Sequence, residues 1–432
     1  MDLIKKLKPL TEQAEVVQLA NEQTTINFEA NKLKSSKVEE TRGIAVRVVR
    51  NGRLGFAASS DMNALDKLVT NVLESAVYGD VVPIQFPGAQ AAQPVITYDS
   101  QINDLPISQL VGFGQEMVDY LLSIEPEARI NVSLSRGIQH LSLQNQAGAN
   151  ASYDRTPFSV GIDLTRIEGD DVLIIYDTIG MTVWGDDVMA PARKLGQKLE
   201  RSRKITPIRS GKMPVVFTPA GSLVLGIPMM AGVDGKNVFS GISPIKEKIG
   251  EKIFDEKITL LDDGTLDGRF NSAPYDDEGI PHQANVLVDR GVLQGFLYGL
   301  KTAALSGAKS TGNASRSLFT PPSPSPTNLI LGAGTTPLAE MIAGIDEGIL
   351  VEDVLGLGQG NVISGAFSNP LALAFKIEKG EIVGRVKNAS IADNIYDCLK
   401  NVGAVSQERE WVYSQFLAPY ILLPEMNVVA KE

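Results

Sequence analysis
The chain is 432 residues long, 43% hydrophobic and 21% charged, with 40 Lys+Arg against 51 Asp+Glu and a formal net charge of −11. Its length suits two or three globular domains, and its acidic balance excludes a sequence-independent grip on nucleic acid, which needs a basic face. Cys398 is the one cysteine, which excludes a disulfide framework and a cysteine-rich zinc cluster, and two histidines, His140 and His282, exclude a three-histidine metal site by count.

At the start of the chain, basic residues precede Thr11, Glu12 and Gln13, which interrupt the stretch too early for a signal peptide. No uninterrupted apolar run reaches the ~18–20 residues that span a bilayer. Without a secretion signal, Asn-x-Ser triplets such as Asn313-Ala314-Ser315 are chance matches. A reducing, cytoplasmic location with no membrane attachment is expected.

Residues 14–20 and 24–30 read as strands of a polar-faced sheet. Residues 43–50, then Asn51-Gly52, then 53–58 read as a hairpin, because Asn-Gly supplies the two positive-φ positions of a type I′ turn. Ser59-Ser60-Asp61 is expected to cap a helix with Leu65, Leu68, Val69, Val72, Leu73 and Ala76 along one stripe. An irregular, proline-bearing stretch over 81–100 precedes a second helix over 107–124. Strands are expected at 130–134, 141–144, 158–166 and 172–178, and a third helix over 188–203.

Pro207 and Ser210-Gly211 then break the chain, which places a domain boundary at 205–212. The second half consists of short apolar runs between Gly, Pro, Asn and Asp, at 215–218, 257–261, 284–288, 292–298, 372–377 and 381–386, which suggests a β-rich domain with few helices. Residues 321–326, three Pro-containing pairs, read as an extended, stiff connector. The fold class is α+β: an N-terminal domain over 1–205, an antiparallel sheet with helices, and a C-terminal β-rich domain over 206–432.

Familiar chemical motifs fail on spacing. Gly211-Lys212 is followed by Met213 and Gly235-Lys236 by Asn237, so no phosphate-binding loop forms. Gly356-Leu357-Gly358-Gln359-Gly360 continues without a helical pattern and reads as a tight turn. Ser306-Gly307-Ala308-Lys309 and Lys309-Ser310-Thr311-Gly312 share Lys309, so one residue cannot fill two separate roles of a serine acyl-enzyme. His140, His282 and Cys398 share no short ligand spacing. Asp276-Asp277-Glu278 has the oxygens for a hard cation, but on residue chemistry alone a solvated turn before Gly279 is the better reading.

Several ordered segments resemble the TldD/PmbA family. They are Glu39-Glu40-Thr41-Arg42-Gly43-Ile44-Ala45-Val46-Arg47-Val48, Val238-Phe239-Ser240-Gly241, Asp262-Asp263-Gly264-Thr265, Asp276-Asp277-Glu278-Gly279, the run from Lys309 to Arg316, and Gly358-Gln359-Gly360. The resemblance implies a zinc-dependent peptidase scaffold in which His-Glu-x-x-x-His binds the metal and carries the general base, and a C-terminal cysteine completes the site. Such ligands serve to lower the pKa of a bound water and polarise a carbonyl. Here the matching positions are Gly226, Ile227 and Ala231, none of which can ligate a metal or move a proton, and Pro228 is expected to kink or break a helix there. The matching C-terminal stretch, 408–415, has no cysteine, and Cys398 lies too early.

By this resemblance the chain is of the metal-free PmbA (TldE) type, without a cofactor of its own, zinc being expected only in a TldD-like partner. The implied assembly is a cytoplasmic protease that trims unfolded peptides and matures a modified peptide such as a microcin; the family's older gyrase label finds no support in the acidic charge. Asp276, Asp277, Glu278, Asn313 and Arg316 are the candidates for a substrate groove. Two alternatives stand beside this reading: a stand-alone peptidase with unconventional ligands, Asp277 and His282, and a homodimeric peptide-binding scaffold. The partners expected are therefore a TldD-like subunit or a second copy, and an unfolded peptide.

Overall fold
The structure is a computed structural model that describes residues 3–359 and 361–430. Gly360 of the glycine-rich run lies outside the described residues. Helix α1 (Leu3–Leu7) leads into strands β1 (Gln13–Glu29), β2 (Lys32–Arg50) and β3 (Arg53–Ser59) and helix α2 (Leu65–Tyr78). Helices α3 (Ser100–Asn103) and α4 (Ile107–Ile124), strands β4 (Arg129–Asn145), β5 (Asn150–Arg155), β6 (Phe158–Glu168) and β7 (Asp171–Met181), and helix α5 (Ala190–Arg201) complete the first half. Its strands form a seven-stranded antiparallel sheet in the order β3-β2-β1-β4-β6-β7, with β5 on β4.

The expected hairpin turn is present, with Asn51 at φ 52° and Gly52 at φ 68°. β1 is one strand where two are expected, because Ala20–Gln23 is paired by β2 on one side and β4 on the other, and backbone pairing carries the polar stretch through. α2 begins later than its expected cap. Ser59 and Asp61 instead close local turns, the Asp61 N–H donating to Ser59 Oγ at 3.0 Å and the Asn63 N–H to Asp61 Oδ1 at 2.9 Å.

The second half runs β8 (Gly211–Phe217), α6 (Leu223–Val233), α7 (Gly235–Phe239), β9 (Leu260–Asp263), β10 (Ala284–Asp289), β11 (Val292–Leu293), α8 (Leu300–Ser306), β12 (Ala314–Ser315), β13 (Ser323–Pro324), β14 (Leu329–Leu331) and α9 (Leu338–Ala343). It continues as β15 (Glu347–Val354), β16 (Ala366–Glu378), β17 (Glu381–Arg385), β18 (Ala389–Asn394), α10 (Ile395–Cys398), β19 (Ala404–Val412) and β20 (Phe416–Ala430). β20 pairs with β18 on one side and β8 on the other, so β20-β18-β16-β15-β8 closes into a barrel. Closure removes the free edges that an open β-rich sheet exposes.

Two expectations fail locally. The strand expected over 292–298 stops at Leu293, because Leu297 leaves the sheet and exchanges backbone bonds with Val233 and Gly235 instead. α6 runs through Pro228 as an 11-residue helix. Leu223, Val224, Leu225, Gly226, Pro228, Met229, Gly232 and Val233 are all buried, so packing on most of its circumference outweighs the lost N–H. A single core joins Phe28, Leu121 and Phe158 below the first sheet to Val216, Leu350 and Phe375 of the barrel. Among the described residues no helix is long and apolar enough to cross a membrane.

Candidate functional site
The helix α6 presents no polar side chain between Ser222 and Asp234. Gly226 lies against the ring of Phe416, so that a Cβ on Gly226 would stand 3.1 Å from it. Ile227 is half-buried, and Ala231 offers only its carbonyl, which accepts from Asn237 Nδ2 at 2.8 Å. Phe416 directly follows the tip of the β19–β20 hairpin. The two stretches that would have to converge on a metal therefore do meet in space. What meets there is a glycine and a phenyl ring, with no donor atom between them.

The hairpin tip itself is unusual. Tyr413 (φ 48°) and Ser414 (φ 61°) are both left-handed, and the Gln415 N–H closes the turn on the Val412 carbonyl at 3.2 Å. This is the backbone of a type I′ turn built without Asn or Gly. Tyr413 stacks on Tyr176 of β7 with ring centroids 5.5 Å apart.

The five groove candidates are brought together, and their polar atoms are largely spent on one another and on the neighbouring Glu15, Arg47 and Asp262. Asp276 Oδ1 accepts from the N–H groups of Glu278 and Ile280, each at 2.9 Å, and its Oδ2 accepts from Ala314 N–H at 3.0 Å. Asp277 Oδ2 accepts from Arg316 N–H at 2.8 Å, while the Arg316 guanidinium donates to the Asp277 carbonyl and, at 2.6 Å, to Glu15 Oε1. Arg47 donates to both oxygens of Glu15, at 3.0 and 2.8 Å, and to Glu278 Oε1 at 2.5 Å. Asn313 Nδ2 donates to Asp262 Oδ2 at 2.5 Å, and Thr327 supplies that carboxylate with two more hydrogen bonds.

Burial sets the electrostatics of this cluster. It pushes the Glu15 carboxyl upward, but Arg47 and Arg316 outweigh it and hold the group below its usual range. Burial and then the neighbouring Glu278 carboxylate drive Asp276 well above that range, and burial raises Asp277 against the pull of Arg316. Asp262 is pushed up to about 6 by burial despite its hydrogen bonds. Burial also depresses His282 to about 4, leaving a neutral imidazole packed on Gly264.

Beside the cluster opens a polar cleft of about 190 Å³ lined by Tyr153, Arg155, Asp277, His282, Ser315 and Gln415, among others. Asp277 and His282 thus face one space, and the carboxylate keeps Oδ1 beyond its bond to Arg316. The cleft can hold a polar chain by hydrogen bonds. It offers no nucleophile poised against a base. His140 lies elsewhere, exposed on β4 and 2.6 Å from Asp154. Cys398 is half-buried in α10, with burial pushing its thiol up.

Sequence reasoning missed Glu15, Arg47, Tyr153, Arg155 and the Tyr413–Ser414 tip. The signal for the first two was a lone charge inside an apolar run, Ala14-Glu15-Val16-Val17 and Val46-Arg47-Val48-Val49. As to a metal, the donor chemistry does not fit one. Gly226, Ile227 and Ala231 carry no ligating atom, and the space against Gly226 is taken by Phe416. Among the described residues no group of three or more His, Cys, Asp and Glu is placed to hold an ion.

Comparison with known proteins places the chain in a family. Residues 210–430 match the model of the PmbA/TldA metallopeptidase C-terminal domain, and residues 14–76 that of the PmbA/TldA metallopeptidase domain 1. A metalloprotease of Methanothermobacter thermautotrophicus is 26% identical over 418 residues, covering 94% of this chain and 90% of that one. A metalloprotease TldD homolog of Haemophilus influenzae is 33% identical over 203 residues, 46% of this chain and 42% of that one. In fold, TldE from Thermococcus kodakarensis superposes with a TM-score of 0.91 at 21% identity, covering 99% of each chain. The first-domain match takes in β1, β2 and β3, and the larger match, covering more than half of the sequence, takes in α6, the buried cluster from Asp262 to Arg316 and the hairpin tip; the chain belongs to the PmbA/TldD metallopeptidase family.

Proposed function
We propose that this chain is the metal-free, TldE-like subunit of a cytoplasmic TldD/TldE-type peptidase, and that it holds or presents unfolded peptides to a metal-bearing partner. The observation that carries the reading is the closed contact between Gly226 and Phe416, on a helix with no donor at positions 226, 227 and 231. A water cannot be activated there by a ligated metal, because nothing present would ligate it.

Peptide handling is supported by the edge of the first sheet. β7 ends that sheet, and among the described residues its outer side carries a single bridge, at Met181. Val172, Ile174 and Tyr176 are exposed along it. An extended peptide adding to this edge would gain main-chain hydrogen bonds with little sequence specificity. It would run toward a cleft of about 280 Å³ between Gly180 and the hairpin residues Trp411 and Ser414. The partner has a separate surface. β2 is exposed from Lys32 to Arg42 and pairs with β3 only from Ile44 onward, which leaves a long outer edge open for a second sheet.

The test is co-purification with a homologue from the same cell that carries His-Glu-x-x-x-His, together with metal analysis of this chain alone. A mixed complex, and a partnerless chain without zinc, are expected. Stoichiometric zinc with proteolysis of an unfolded peptide by this chain alone would sink the proposal, and failure to form a mixed complex would favour a homodimeric scaffold.

A further inference from the structure
A third cleft, of about 560 Å³, lies between the end of α2, α7, α8 and the proline-bearing loop, and shares no lining residue with the other two. Its size is that of a pocket for a small organic ligand. Its walls are mostly apolar, with Phe56, Phe239 and Leu305 facing Pro321 and Pro322. Phe239 is 49% exposed and Tyr78 at the rim 90% exposed, an unusual amount of aromatic surface to leave in water. The paired prolines fix the opposite lip, so little conformational freedom is lost when something settles between them.

The charges around the cleft do not balance. At its floor Arg47 and Glu278 are spent on each other, on Glu15 and on the Leu300 N–H, which donates to Glu278 Oε2 at 2.6 Å. At the rim Lys301 is held by Asp80 at 2.5 Å. Lys236 remains. It lines the cleft, and among the described residues its ammonium makes no direct ion pair; the Asp234 carboxylate, which accepts from the Lys236 backbone N–H at 2.8 Å, feels its charge without contacting it. An apolar slot whose one ammonium has no direct ion-pair partner suits an apolar group that carries an acid.

We propose that this cleft binds the C-terminal residue of a peptide ending in a large apolar side chain. That side chain lies between Phe239, Tyr78 and the prolines, and the free carboxylate accepts hydrogen bonds from Lys236. The choice of a peptide over another apolar acid rests on the peptide-handling reading above. The site itself is separate from the β7 edge, none of whose residues line it.

The experiment is calorimetric titration of the isolated chain with acetyl-Ala-Ala-Phe as the free acid, with its C-terminal amide, and with decanoate as a non-peptide acid. The free acid binds, and the amide binds about fivefold more weakly, the worth of one partly exposed ion pair. Lys236→Ala brings the acid down to the amide's affinity without moving the amide, Lys236→Arg restores the difference, and Phe239→Ala weakens both. Lys236 and Phe239 are exposed, and an unchanged thermal midpoint shows that each variant folds. Equal binding of acid and amide, no effect of Lys236→Ala, or binding of decanoate but not of the peptide overturns the proposal. Because the chain is titrated alone, these results are independent of whether a partner co-purifies.

Discussion
A guanidinium enclosed on every side needs acceptors for its N–H groups, and Arg47, 2% exposed, finds them in Glu15 and Glu278. Taking one carboxylate away leaves buried positive charge that water cannot reach and that the remaining carboxylate only partly compensates. Glu15→Gln is therefore expected to cost about 3–5 kcal/mol, since it strips both Arg47 and Arg316 of their shared partner. Lys37→Ala, which breaks a 2.6 Å pair with Glu39 on the exposed arm, is expected to cost less than about 1 kcal/mol. Denaturant midpoints of the two variants measure the contrast; equal shifts would show that the buried cluster is not a clasp. Half of this cluster was legible in the sequence. Asp276, Asp277, Glu278, Asn313 and Arg316 lie on two short ordered segments, but Glu15 sits 301 residues from Arg316, and no local pattern specifies a pair at that distance.

At the scale of elements, legibility follows turn chemistry. Asn51-Gly52 announces its type I′ turn because those residue types tolerate positive φ. Tyr413-Ser414 adopts the same backbone with residues that do not, and so could not be read. The conformation must be held by its surroundings, among them the stack on Tyr176. Ser414→Gly is expected to stabilise the chain by about 1 kcal/mol, the cost of a left-handed non-glycine residue. Tyr413→Asn, which relieves similar strain but loses the stack, is expected to gain nothing. Thermal midpoints of the two single variants decide between local strain and tertiary support. In α6 the residue types at 226, 227 and 231 are read directly from the sequence, whereas that Pro228 would be tolerated was not legible, and burial on most sides explains it. Gly226→His is expected to destabilise the chain by about 1–3 kcal/mol through overpacking on Phe416, and to recruit no zinc. A stable variant with bound zinc would show that the space against Gly226 can reopen.

For the whole molecule, the fold class was legible from strand spacing, while the way the two sheets are fastened was not. They are joined by one shared apolar core and by two buried ionic clasps. The first is the Glu15 cluster. The second is Asp171 of β7, which meets Arg166 at 3.3 Å, Lys387 at 2.8 Å and Arg385 of β17. Burial would raise Asp171, but hydrogen bonds from Arg385 and Lys387 outweigh it and hold the carboxyl at about 2. A depressed carboxyl contributes stability above its unfolded pKa, and that contribution fades as the pH falls through the folded value. Asp171 should therefore contribute about 1–2 kcal/mol after screening, present at neutral pH and lost below about pH 4. Glu15, also held low, acts in the same direction. Between pH 6.5 and 4 other groups oppose one another. Asp262 and Asp353, each raised to about 6 by burial, gain stability as they protonate, and His282, depressed to about 4, loses it because its buried ring resists charge. Because the raised carboxyls outnumber His282, the thermal midpoint is expected to rise slightly from pH 7 to about 5, and to fall below about 4 as the carboxyls held low, Asp171 and Glu15 among them, are protonated. Asp171→Asn should lower the midpoint at pH 7, and the gap to the parent chain should close as the pH falls toward 2. A gap that stays constant down to that pH would mean that Asp171 fastens the sheets by packing and not by charge.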